Sequence, residues 1–279
     1  MSDYRLVDVF GSGPFTGNPV AVVTGKDDLD TDTMLRITQW FNLSETTFLL
    51  PATDSAADYR VRIFTPDREL PFAGHPTLGT CHAWLEQGGQ PKNPDHIVQQ
   101  CPAGLINLRR VDGRLAFSGP PLVRSGGVDA QTAERIAAFL RIDRERFVDI
   151  AWVDNGPGWI GVMLGSAEEV LALDPLRSYP ERIEVGVIGP HQGGGPVDYE
   201  IRTFFTNHTL TIIEDPITGS FNASVAEWLY GSGRVDRAYV AAQGTKLGRS
   251  GRVYVDRDDA GAIWIAGDTQ TLVRGTPTF

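Results

Sequence analysis

Apolar and polar residues alternate in short runs through most of this chain. Residues 4–10, 19–24 and 59–64 carry the period-two spacing of strands, and the run Thr47-Phe48-Leu49-Leu50 predicts another. Residues 97–100, 104–111 and 114–118 read as a meander of short strands. A spacing of three and four appears at Met34, Ile37 and Phe41, which predicts a helix from Asp30 or Thr31 to about Phe41. The same spacing at Ala133, Ile136 and Leu140 predicts a helix opened by Asp129. Ser166-Ala167-Glu168-Glu169 is a capping box for a short helix ending near Leu173. Further strands are expected at 151–153, 159–164, 184–188, 199–205, 237–241, 252–256, 262–266 and 271–274.

One stretch departs from this rhythm. In Pro71-Phe72-Ala73-Gly74-His75-Pro76 a loop runs into Leu78, Cys81 and Leu85 at helical spacing, with Gly88-Gly89 as a stop. His75 therefore stands where a helix begins, beside unpaired backbone N–H groups and the positive end of the dipole. Such a place suits a carboxylate, and it equally suits a histidine on an ordinary core helix. A second copy lies at Glu214-Asp215-Pro216-Ile217-Thr218-Gly219-Ser220, followed by a helix through Trp228 to Gly231. Aligning Gly74 with Gly219 places His75 on Ser220 and Leu85 on Tyr230. Two copies in one chain suggest a duplicated unit whose helix N-termini face one ligand.

Many short strands and one longer helix in each half predict an α+β fold. The expected architecture is two strand-rich, barrel-like sheets, each around a central helix. Gly119-Pro120-Pro121 and Ser125-Gly126-Gly127 read as the linker. This puts an N-terminal lobe at 1–120, completed by a strand near 268–279, and a C-terminal lobe at 121–267.

With 279 residues the chain has room for both cores. The net charge is −10 and no Lys/Arg run occurs, which argues against nucleic acid and anionic membranes as partners. An anionic ligand would need local donors, and the two helix starts supply them. Neither an apolar run of membrane length nor a signal-like N-terminus is evident, so a soluble, cytoplasmic protein is expected. The two cysteines, Cys81 and Cys101, lack zinc-site spacing. Gly11-Ser12-Gly13 is followed by Pro14 and a strand, where a dinucleotide fingerprint needs a helix. Glu45, His75, Glu214 and Asp215 are the candidates for proton transfer. Ser220 has no His/Asp order around it that argues for a nucleophile, and by pattern alone Glu45 reads as a solvated residue at a strand start.

The chain resembles the PhzF-like family of phenazine biosynthesis, which shares its fold with diaminopimelate epimerase. The resemblance rests on six pieces in family order. They are Gly17-Asn18-Pro19-Val20-Ala21-Val22, Asn42-Leu43-Ser44-Glu45-Thr46-Thr47-Phe48, Phe64-Thr65-Pro66, the run from Glu69 through Gly74-His75-Pro76 to Thr80, Asn155-Gly156-Pro157, and the run from Glu214 to Ser220. It implies two pseudosymmetric lobes with the active site in the cleft between them, and a homodimer that needs no metal or organic cofactor. It also implies an isomerase that shifts a proton and double bonds in a small carboxylate-bearing substrate, trans-2,3-dihydro-3-hydroxyanthranilate in the phenazine enzyme. Glu45 would be the acid/base, with His75 and Asp215 assisting and Gly74, Gly219 and Ser220 holding the substrate. The epimerase relatives use paired cysteines at positions that here are Ala73 and Thr218.

The chain departs from the family's pattern at residues 205–211 and at Phe221-Asn222. Large side chains there are expected to reshape the pocket, and His208 adds a titratable group nearby. An unsaturated cyclic amino acid of another antibiotic pathway therefore stays open as substrate. Two other readings also stay open: an amino-acid racemase or epimerase using carboxylate and His bases, and a non-catalytic small-molecule binding protein.

Overall fold

A computed structural model describes residues 3–207 and 209–278. His208 lies outside the described residues. The chain divides into two compact units, one of Met1–Ser118 with Ala266–Phe279 and one of Gly119–Ile265. The content is strand-rich α+β, with eighteen strands and five α-helices among the described residues. None of these helices is long and apolar enough to cross a membrane.

In the first unit the strands form one ladder. Thr269–Gly275 pairs antiparallel with Asp3–Val9, and Asp3–Val9 antiparallel with Asn18–Thr24. Asn18–Thr24 pairs parallel with Glu45–Leu50, and Glu45–Leu50 antiparallel with Tyr59–Phe64. Tyr59–Phe64 then pairs parallel with Ile97–Cys101, which continues antiparallel into Gly104–Val111 and Arg114–Ser118. The second unit repeats this alternation. Arg124–Gly127 pairs antiparallel with Asp149–Asp154, then Ile160–Met163 antiparallel, Glu184–Pro190 parallel and Tyr199–Thr206 antiparallel. Tyr239–Gln243 follows in parallel and Gly251–Arg257 antiparallel. The duplication read from two helix starts thus extends to the whole pairing order.

The parallel steps require crossovers, and helices make them. We label the helices α1 (Thr31–Phe41), α2 (Gly74–Glu86), α3 (Ala130–Leu140), α4 (Ala167–Ala172) and α5 (Gly219–Gly231). α2 and α5 each bury nine of thirteen residues, as expected of helices without a polar face. α2 touches Thr269–Gly275 at one end of its ladder and Arg114–Ser118 at the other, so that sheet curls around it. α5 likewise touches Asp149–Asp154 and Gly251–Arg257. Gly79 lets α2 lie against the sheet, since a Cβ there would stand 2.3 Å from Val20 Cγ1.

Helix starts fall into two kinds. Asp30, Asp129 and Ser166 accept from the backbone N–H of Thr33, Thr132 and Glu169, so α1, α3 and α4 carry side-chain caps. Ala73 and Thr218, which precede α2 and α5, make no side-chain cap. The linker expected at Ser125-Gly126-Gly127 is instead a strand. Its backbone pairs with residues 151–154, and the Arg124 guanidinium lies 3.4 Å over the Trp152 ring. Ladder bonds need no side chain, so a glycine pair can serve once a neighbour is in place. Two strands escaped the pattern because they are short: Glu69–Leu70 and Ile212–Asp215, each a hairpin arm leading into a central helix.

Candidate active site

In the first unit three segments meet at the start of α2. Glu45 opens Glu45–Leu50, whose parallel register sets it beside Val20. His75 is the second residue of α2 and is 3 % exposed. Glu45 Oε2 lies 3.5 Å from His75 Nε2, and Asn18 Nδ2 lies 3.4 Å from His75 Nδ1. Burial pushes the imidazole down to about 3, against the smaller opposing effect of a hydrogen bond with the Pro19 carbonyl. His75 is therefore neutral at ordinary pH, and its contact with Glu45 is not an ion pair. The Gly17-Asn18-Pro19 motif now has a physical reason. Asp8 accepts from the Gly17 and Thr16 N–H groups at 2.9 and 3.1 Å, which fixes the turn that delivers Asn18 to the ring.

In the second unit Asp215 ends the strand Ile212–Asp215 and is buried. Its Oδ2 accepts from the Thr218 hydroxyl at 2.6 Å. Gly219 and Ser220 are the first two residues of α5. Ser220 Oγ accepts from Trp159 Nε1 at 3.1 Å, and the Ser220 carbonyl accepts from Asn155 Nδ2 at 3.0 Å. Asn155-Gly156-Pro157 thus braces the helix start, a role with no local signal 65 residues away in sequence.

Glu214 is committed elsewhere. Arg202 grips it through Nε and Nη2 at 2.8 Å each, while Arg202 Nη1 donates to the Val170 and Leu173 carbonyls. Phe221 does not have the pocket role expected of it. It is fully buried in the second unit, edge-on to Trp159, over Gly186 where a Cβ would stand 2.1 Å from its ring. Asn222 also turns inward, donating to the Thr218 carbonyl and to Gln243 Oε1. After the strand Tyr199–Thr206 ends, Asn207 Oδ1 accepts from the N–H groups of Thr209 and Thr211. Cys81 is a core residue whose thiol burial raises to about 12. Among the described residues no group of three or more His, Cys, Asp and Glu is placed to hold a metal ion.

Each unit thus brings a carboxylate and a hydrogen-bonding side chain to an uncapped helix start, where the Gly of a Pro-x-x-Gly run is the first helical residue. The sequence model of the family described as Phenazine biosynthesis-like protein matches residues 7–276. The chain belongs to that family. A trans-2,3-dihydro-3-hydroxyanthranilate isomerase of Pseudomonas aeruginosa is 32 % identical, over 99 % of this chain and 99 % of that one. A Schizosaccharomyces pombe protein named antisense-enhancing sequence 1 is 33 % identical, over 98 % and 97 %. A Bacillus anthracis protein of the PhzF family matches in structure with a TM-score of 0.83, at 22 % identity and coverage of 100 % and 99 %. This member of the phenazine biosynthesis-like family is accordingly an isomerase.

Proposed function

We propose that this isomerase moves a proton between two carbons of a small unsaturated cyclic acid bearing an amine or hydroxyl, with Glu45 as the acid/base. The observation that carries the reading is the Glu45 carboxylate 3.5 Å from an imidazole that burial keeps neutral. A protonated His75 would bind the carboxylate as an ion pair and weaken it as a base. A neutral ring does not weaken Glu45 as a base in the way that a cation beside it would.

The N–H groups at the starts of α2 and α5 are suited to a substrate carboxylate, and Gly74 and Gly219 put no side chain beside them. Asp215 and Ser220 are the polar groups for a substrate amine or hydroxyl. No step in this scheme needs a metal or an organic cofactor. We further propose a cytoplasmic homodimer, which light scattering would check as twice the chain mass.

The test uses trans-2,3-dihydro-3-hydroxyanthranilate, the substrate in the relative's name, in deuterated water. Wild-type protein should place deuterium on a ring carbon of the product. Glu45→Gln should lose turnover and deuterium incorporation while still binding the substrate. Retained turnover in that variant would remove Glu45 from the mechanism.

A further inference from the structure

Gln243 ends the strand Tyr239–Gln243, has no exposed surface and uses both ends of its amide. Its Oε1 accepts from the Thr218 N–H and from Asn222 Nδ2, each at 3.0 Å. Its Nε2 lies 3.0 Å from Thr203 Oγ1, 3.0 Å from Thr218 Oγ1 and 3.3 Å from the Asp215 carbonyl. The two backbone partners fix which end is which, because a peptide N–H only donates and a peptide carbonyl only accepts.

The hydroxyl directions then follow. Thr218 gives its proton to Asp215 Oδ2 at 2.6 Å. Thr203 Oγ1 and Thr218 Oγ1 are 2.6 Å apart, and with the Thr218 proton already placed, Thr203 is the donor. Every bond points the same way, from amide to hydroxyl to hydroxyl to carboxylate. Bonds aligned in this sense polarise one another.

The first unit provides the comparison. Gln99 also lies on a strand that runs parallel to its neighbour, and its Nε2 donates at 2.9 Å to Thr77, the fourth residue of α2. Gln243 meets Asn222, the fourth residue of α5, with the direction reversed, its Oε1 accepting from Asn222 Nδ2. Gln99 Oε1 accepts from the Tyr59 hydroxyl. The likeness stops there, because Leu70 and Ala73 occupy the places of Asp215 and Thr218 in the repeat. Tying a glutamine to a central helix therefore takes no hydroxyl chain. What the second unit adds is a path that ends on a carboxylate.

We propose that Gln243 and Thr203 are positioning residues for Asp215, holding its carboxylate in one orientation through the Thr218 hydroxyl. The proposal rests on the reading of Asp215 as a substrate-holding group. Thr203 is the place to test it, because only the Thr218 hydroxyl stands between it and the carboxylate and it makes no bond to α5's backbone.

Thr203→Val keeps the shape and the Gln243–helix contacts while removing the link, and Thr203→Ser restores the hydroxyl. The first readout needs no substrate: solvent exchange of the Thr218 hydroxyl proton by NMR. Exchange should be slow in wild-type protein, at least about fivefold faster in Thr203→Val, and slow again in Thr203→Ser. The second is turnover of trans-2,3-dihydro-3-hydroxyanthranilate. There kcat should fall about tenfold in Thr203→Val with KM within about twofold, and return in Thr203→Ser. Wild-type exchange in Thr203→Val, or a Thr203→Ser variant as impaired as Thr203→Val, would overturn the proposal. If wild-type protein does not turn over this acid, the substrate assignment fails, and the exchange readout alone decides the role of Thr203.

Discussion

Arg202 and Glu214 are joined by two parallel hydrogen bonds of 2.8 Å, and the Arg202 guanidinium also lies 4.9 Å over the Phe204 ring. The first unit has the same arrangement in Arg62, Glu69 and Phe64, with bonds of 2.8 and 2.6 Å and a ring distance of 5.1 Å. Each pair ties a hairpin arm to the strand beside it, five residues before a central helix. The two differ in burial. The side chains of Arg202 and Glu214 are 5 % and 15 % exposed, those of Arg62 and Glu69 23 % and 27 %.

That contrast predicts unequal costs. Glu214→Ala strands a buried guanidinium and should destabilise the protein by about 3–5 kcal/mol. Glu69→Ala leaves a charge that water reaches and should cost about 1 kcal/mol or less. Urea unfolding of the two variants checks this. Equal losses would mean that burial does not set the value of the pair.

The His75 ring gives a pH prediction. Its folded value, about 3, lies below the ordinary value of 6.5, so the unfolded chain takes up a proton that the folded chain refuses. This contribution to stability is present above about pH 6.5 and is lost as pH falls toward 3, at about 1.4 kcal/mol per unit. Stability measured from pH 7 to 4 should fall less steeply in His75→Asn than in wild-type protein. Parallel curves would mean that the ring ionises normally.

Gly79 marks the closest approach of α2 to its sheet. Gly79→Ala places a methyl against Val20 and should cost about 1–3 kcal/mol. Adding Val20→Ala should recover part of that loss, and a double-mutant cycle in thermal unfolding reads the coupling. Additive losses would mean that the two residues do not touch.

Trp159 holds the Ser220 hydroxyl through its indole N–H. Trp159→Phe keeps most of the ring and frees that hydroxyl. KM for trans-2,3-dihydro-3-hydroxyanthranilate is expected to rise about threefold to tenfold with kcat nearly unchanged. An unchanged KM would take Ser220 out of substrate binding.

Much of this fold was legible because the cues were local. Asp30, Asp129 and Ser166 announce helices a few residues away, and the paired Gly-His and Gly-Ser starts announce the repeat. What stayed hidden is what distance hides. Gln243 meets Thr203 forty residues away, Asn18 meets His75 across 57, and no periodicity encodes either contact. Phe221 looked like a pocket residue because it follows Ser220, yet helical rotation turns it into the core under Gly186. The strand Arg124–Gly127 was hidden for the opposite reason: its glycines carry a turn signal that pairing with residues 151–154 overrides.

Thr218 precedes α5 with a hydroxyl of the kind that closes a helix, and that hydroxyl is turned to Asp215. Ala73 has none to offer α2. The two longest, most buried helices are thus unfinished at their first turns, while the outlying ones are closed by their own side chains. An acid that supplies the missing acceptors would stabilise the folded state, more so the tighter it binds and the higher its concentration. Melting temperature can therefore serve as a screen of candidate acids: those that bind at these helix starts would raise it.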